Sequence, residues 1–184
     1  QIIEINATRI NARYLPEVIF PPNIHCSDDY QTVLSGVQDI LIVVPSAVFH
    51  ANLVKLKPFL QSNQRLLWAS KGLDTKKHQL LNEVVKEILG DKEMAVLSGP
   101  SFAKEVAMGL PTAINIASEN YNFAHDLLLR FQTKRFRVEI TSDIIGVELG
   151  GAMKNVLAIA VGITEGLGFG ANAKAAVITY GLSE

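Results

Sequence analysis

The chain has 184 residues, 48% of them hydrophobic, with 17 basic and 18 acidic side chains and a formal net charge of −1. That length supports a sizeable core, and the charge balance argues against a dedicated nucleic-acid surface. A single cysteine, Cys26, excludes an internal disulfide and fits a reducing compartment, so a cytoplasmic protein is expected.

The N-terminus shows no basic patch followed by an apolar run, and therefore no secretory signal. The chain opens at Gln1 inside a helical pattern, Ile2–Asn11, and stops at Glu184 inside another. Both ends read as cut, which predicts a piece of a longer protein. Asp39–Val44 (DILIVV) is a short β-branched run, the pattern of a strand buried on both faces of a parallel sheet. Pro45 ends it, and Ser46 can cap a helix over Ala47–Leu60. Arg65–Ala69 reads as a second strand, closed by Ser70-Lys71-Gly72. Thr75–Leu89 reads as an amphipathic helix with Gly90 as its stop.

Met94–Leu97 is a third strand, running into Ser98-Gly99-Pro100-Ser101 and a short helix over Phe102–Met108. Thr112–Ala117 and Phe136–Ile140 look like further strands around a helix at Tyr121–Phe131. Strands alternating with helices imply βαβ units in a largely parallel, doubly wound sheet. From Asp143 onward the composition turns small and apolar without strand signals. The expected fold is thus α/β, a partial Rossmann-like domain over 1–142, followed over 143–184 by the start of an all-α domain. Ile144–Val161 is long enough to tempt a transmembrane reading, but Glu148, Lys154 and Asn155 interrupt it, and a central charge costs about 2.5–3.5 kcal/mol. No membrane span is expected.

In open α/β sheets, ligands bind at the carboxyl ends of the strands. Three such ends carry unusual residues: Val44-Pro45-Ser46, Ser70-Lys71-Gly72 and Ser98-Gly99-Pro100-Ser101-Phe102-Ala103. Each alone also fits an ordinary surface turn. Lys154 stands out more, because Gly150-Gly151-Ala152-Met153-Lys154-Asn155 places glycines, an ammonium and an amide inside one helix. Each helix-interior glycine costs about 1 kcal/mol relative to alanine. A snorkelling lysine is the bland account. The functional account is a lysine whose pKa is lowered by desolvation and by a nearby cation such as Lys71, suited to proton transfer. By seven-residue spacing, Glu148 falls on the same side of the helix as Asn155. Gly166-Leu167-Gly168-Phe169-Gly170 follows a helix rather than a strand and reads as an inter-helix turn. His25, His50, His78 and His125 are scattered, so no metal site is expected.

Taken in order, the motifs resemble the bacterial type of NAD(P)-dependent glycerol-3-phosphate dehydrogenases. The matching segments include Val43-Val44-Pro45-Ser46, Ser70-Lys71-Gly72-Leu73, Leu97–Ala107, Gly109–Ala113, Ile145–Val156 and Gly166–Ala176. The resemblance implies interconversion of dihydroxyacetone phosphate and sn-glycerol 3-phosphate with NAD or NADP, for glycerophospholipid synthesis. It implies Lys154 as proton donor and acceptor at the substrate C2 oxygen, and Lys71 in contact with both substrate and cofactor. It further implies Gly99, Ser101 and Asn155 on the substrate side, and Ala103, Pro45 and Ser46 on the cofactor side.

The family's opening strand–GxGxxG–helix and most of its helical domain have no counterpart here, so these 184 residues alone are expected to be inactive. Thr179-Tyr180-Gly181 stands where bacterial members usually read Thr-Arg-Gly. Two other readings stay open. One is a related β-hydroxyacid or sugar-nucleotide dehydrogenase; the other is an inert truncated remnant or interaction module. The choice between NAD and NADP is not legible, and a homodimer stays open.

Overall fold

The structure, a computed structural model, describes residues 1–183. Helix α1 (Ile2–Thr8) ends earlier than the helical pattern suggests, because Arg9 adopts a left-handed conformation at φ 61°. The chain then folds into a small antiparallel pair, β1 (Ile10–Asn11) and β2 (Leu15–Ile19), which the sequence reading did not anticipate. A short helix, α2 (Tyr30–Leu34), capped by Asp29, leads to the main sheet.

That sheet takes its strands in chain order: β3 (Asp39–Ile42), β4 (Arg65–Trp68), β5 (Met94–Ser98), β6 (Thr112–Ala117) and β7 (Phe136–Thr141). The connecting helices are α3 (Ser46–Leu56), α4 (Leu81–Leu89), α5 (Ala103–Ala107) and α6 (Tyr121–Phe131). Strands β3, β4 and β5 are parallel, whereas β6 runs antiparallel to β5 and β7 follows β6 in parallel. The connection after β5 holds only the five-residue α5, and it does not cross back over the sheet, so β6 returns in the opposite direction. The largely parallel expectation therefore holds for the first three strands and for the last pair, and is corrected at the β5–β6 junction.

Side chains alternate across the sheet as a period of two requires. Leu66, Trp68 and Val96 face Phe49 and Leu53 of α3 and Val84 and Val85 of α4. Leu67, Ala95 and Leu97 face the other way, against Phe123, Ala124 and Leu127 of α6. At the amino ends of β3 and β4, Arg65 bridges Asp39 and Asp126 at 2.6 Å each, tying α6 to the sheet.

Two further helices, α4 and α3, differ from expectation for identifiable reasons. The helix expected over Thr75–Leu89 begins only at Leu81. Upstream, the Asp74 carboxylate accepts from the amides of Lys76 and Lys77, Asp74 N donates to the Gln79 carbonyl, and His78 sits at φ 55°. Those bonds satisfy the backbone in a turn instead. In α3, Pro45 rather than Ser46 holds the N-cap position, and the helix gives way to a 3₁₀ turn at Lys57–Phe59, where Pro58 has no N–H to donate.

From Asp143 the chain is helical: α7 (Ile144–Gly166) and α8 (Ala171–Ser183), joined by a turn in which Gly168 has φ 70°. By length and composition α7 could cross a membrane, yet its first turns pack on β5 and β6 and bury Ile144, Glu148 and Gly151. The chain thus has a mixed Rossmann-like sheet with helices on both faces, followed by a helical region.

Candidate active site

Because β3, β4 and β5 are parallel, their carboxyl ends lie along one edge of the sheet, and the chain places its unusual residues there. Ser70 stitches two of these ends together: its hydroxyl donates to the Val44 carbonyl at 2.5 Å and accepts from Val44 N at 3.3 Å. One residue later, Lys71 Nζ donates to the carbonyl of Gly99 at 2.6 Å, joining the end of β4 to the end of β5. Gly99 has φ 155°, and a Cβ there would lie 2.6 Å from the Ala113 carbonyl oxygen and 2.9 Å from Ile114 Cα. Both neighbours are backbone and cannot step aside. Gly99→Ala is therefore expected to cost roughly 1–3 kcal/mol from backbone strain alone, read as a lower Tm.

Helix α7 comes to this edge from the helical region that follows the sheet. Its start is capped by Asp143, whose carboxylate accepts from Gly146 N at 2.8 Å. At Gly151 the helix backbone presses on the strand ends: a Cβ would come within 2.9 Å of Ser98 Oγ and 3.7 Å of Lys71 Cγ. One turn on, Lys154 is half-buried with Nζ 4.9 Å from the centroid of the Phe102 ring, a cation–π distance. Ser98, Gly99, Asn115, Gly150, Gly151 and Lys154 line a cleft of about 490 Å³.

The electrostatics follow from this crowding. The pKa of Lys71 is lowered, first because burial disfavours its charged form and second because Lys154 is a nearby like charge. Lys154 lines the cleft, and Lys71 lies behind Gly151 in an adjoining void, near enough to feel its charge; positive charge placed so suits an oxygen that gains negative charge during reaction.

The remaining expected residues divide between locations. The Ser101 hydroxyl donates to the Gly99 carbonyl at 3.3 Å. Ser101 and Ala103 line a second, apolar groove of about 360 Å³ with Leu41, Val43, Leu97 and Phe131, on the α6 face of the sheet. Pro45 and Ser46 form the start of α3, which has no side-chain cap, so its free amides suit an anion. Ser46 lies beside Gly72, where a Cβ would be 3.0 Å from Ser46 Oγ. An apolar groove beside an uncapped helix start fits a dinucleotide laid along this edge. Asn155 is exposed and does not line the Lys154 cleft.

Phe102 and Asn115 were given no role from sequence, and Glu148 was placed there on the side of Asn155. Phe102 packs its ring against Lys154. Asn115 brings an amide to the cleft from β6. Glu148 is 6% exposed and hydrogen-bonded inside the fold, not a partner of exposed Asn155. Its signal was available: a lone acid within an apolar run.

Comparison with known proteins gives a consistent picture. Residues 1–124 match the family model for the NAD-dependent glycerol-3-phosphate dehydrogenase N-terminus, and residues 143–184 the model for its C-terminus. The chain is 51% identical to the glycerol-3-phosphate dehydrogenase [NAD(P)+] of Bartonella henselae, over 100% of its own length and 54% of that protein. It is 50% identical to the protein of the same name from Haemophilus influenzae, covering 55% of it. The crystal structure of a glycerol-3-phosphate dehydrogenase from Coxiella burnetii superposes with a TM-score of 0.93 at 49% identity, covering 99% of this chain and 56% of that one. A Plasmodium falciparum glycerol-3-phosphate dehydrogenase gives a TM-score of 0.92 at 26% identity, covering 99% and 52%. The chain spans about half the length of the relatives it matches.

Proposed function

The chain belongs to the NAD-dependent glycerol-3-phosphate dehydrogenase family, and from that premise we propose that its protein interconverts dihydroxyacetone phosphate and sn-glycerol 3-phosphate using NAD or NADP. One observation carries the reading to these residues. Lys71, Gly99 and Lys154, from two strand ends and the helix that follows the sheet, lie together at one edge of the sheet.

When bound, the nicotinamide supplies or takes the hydride. The residues of this chain do the rest. In the reducing direction Lys154 delivers a proton to the C2 oxygen as the carbonyl becomes an alcohol, and it removes that proton in reverse. Lys71, anchored on Gly99, faces the same oxygen and stabilises its developing charge. Gly99 and Ser101 border the substrate. Asn155 is assigned to the substrate's outer side, where its exposed position lets it meet a ligand reaching beyond the cleft. Ala103, with Pro45 and Ser46 at the start of α3, holds the cofactor. We read the protein as cytoplasmic, a reading the single cysteine fits, and as contributing glycerol phosphate to phospholipid synthesis, a role that follows from the proposed reaction.

The test is an assay of the complete protein with reduced NAD or NADP and dihydroxyacetone phosphate, following loss of the reduced cofactor. Cofactor oxidation that depends on dihydroxyacetone phosphate is expected. Oxidation of 3-hydroxyisobutyrate without turnover of dihydroxyacetone phosphate would move the assignment to the β-hydroxyacid dehydrogenases. Silence with both would favour an inert remnant.

A further inference from the structure

Glu148 is the only acidic residue of α7 before Glu165, and the fold buries it to 6% exposure. Its carboxylate accepts from Trp68 Nε1 at 3.1 Å and from Asn82 N at 3.2 and 3.3 Å. Trp68 ends β4, the strand that delivers Lys71, and Asn82 lies in the first turn of α4. One carboxyl on the lysine-bearing helix therefore grips both the strand behind the other lysine and the positive end of a neighbouring helix. It does so one turn before Gly151, where α7 approaches Ser98 and Lys71 most closely.

We propose that Glu148 is a positioning residue of this site, fixing how α7 seats on β4 and hence where Lys154 stands relative to Lys71. The proposal rests on the reading of those two lysines as the working pair. A plain core position would serve the fold as well with leucine, because burying a carboxylate is costly and an apolar replacement of similar volume is often neutral or stabilising. The surroundings show that cost. Burial pushes the Glu148 carboxyl up to about 7, with Glu83 adding to the rise and the Asn82 amide and Trp68 opposing it. The side-chain oxygen of Asn82, the same residue whose amide Glu148 holds, is buried without a hydrogen-bond partner among the described residues. Among the charged groups around the carboxyl, Glu83 on α4 is the like charge, and Lys71 and Glu148 both line a small void at the β4 and β5 ends.

The pH dependence has a definite sign. A carboxyl raised from 4.5 to about 7 in the fold leaves the native state holding more protons than the unfolded state in that interval. Its contribution to stability is present at low pH and is lost as pH rises through the window.

The experiment uses the complete protein and two variants, Glu148→Gln, which keeps a carbonyl acceptor for Trp68, and Glu148→Leu, which keeps none. Trp68 is the only tryptophan in these 184 residues, so the part of the emission that Trp68→Phe removes reports on it. That part is expected to titrate near neutral pH in the wild type and to be flat in Glu148→Gln. Glu148→Leu should stay folded but lose about 10–100-fold in kcat, the scale of an ångström-level misplacement, with KM little changed. Glu148→Gln should recover most of the loss, while its Tm falls less than that of the wild type between pH 5 and 8. Turnover in Glu148→Leu within about twofold of wild type, or Trp68 emission titrating unchanged in Glu148→Gln, overturns the proposal. A wild type inactive on dihydroxyacetone phosphate sinks the assigned reaction instead, and the emission arm then still decides whether Glu148 grips β4.

Discussion

Replacing Lys154 by alanine in the complete protein is expected to cut turnover by about 10²–10⁴-fold, the usual range for a lost general acid. The side chain is half-buried at the mouth of the cleft and packs on the exposed ring of Phe102 rather than in the core. Truncation therefore leaves the fold intact, and Tm should hold within a few degrees of wild type. Substrate binding should suffer less than kcat, because the proton is needed only as charge develops on the oxygen. Steady-state kinetics in both directions check this. Turnover near the wild-type value would remove Lys154 from the reaction and return it to the snorkelling account.

Lys71→Ala has the second-largest expected effect, about 10²–10³-fold in kcat, as for loss of one donor to a developing oxyanion, with a raised KM as well. Two observations separate it from Lys154. Its ammonium already bonds the Gly99 carbonyl at 2.6 Å, so its loss also frees the loop proposed to border the substrate. Its pKa is lowered by burial and then by the charge of Lys154. Activity that needs a charged Lys71 falls as pH rises through that lowered value. Removing the Lys154 charge raises the value again, so the alkaline limb of the residual activity in Lys154→Ala should move to higher pH. An unmoved limb, together with Lys71→Ala kinetics like wild type, would take Lys71 out of the site.

Much of this was readable from residue patterns, and the failures have physical causes. DILIVV and TAINIA are strands because β-branched, apolar runs fit a covered sheet, and both appear in the structure within two residues of their expected ends. The glycines beside Lys154 stood out as costly in a helix, and the approach of Gly151 to Ser98 supplies the reason for one of them. Strand direction was not legible at β6, since the hydrophobic pattern is the same whichever way a strand runs. The start of α4 was misplaced because Asp74 diverts the local backbone into a turn, a competition between side-chain and helical bonds that periodicity does not register. Glu148 was visible as an anomaly, but its partners come from β4 and α4, far away in sequence. Asn155 was adjacent to the key lysine in sequence, yet a helix turns adjacent residues about 100° apart, and it is exposed outside the cleft.

The bond from Lys71 to the Gly99 carbonyl has a stereochemical consequence. A free lysine is a swivelling point charge that greets an oxygen from any direction. An ammonium has three N–H groups, and with one committed to Gly99 the other two point along directions fixed by a tetrahedral nitrogen. In the proposed reaction, a carbonyl meeting that tripod and Lys154 together would take one orientation and show a single face to the groove beyond. The handedness of the alcohol formed there would then be written, in part, by where a glycine carbonyl sits.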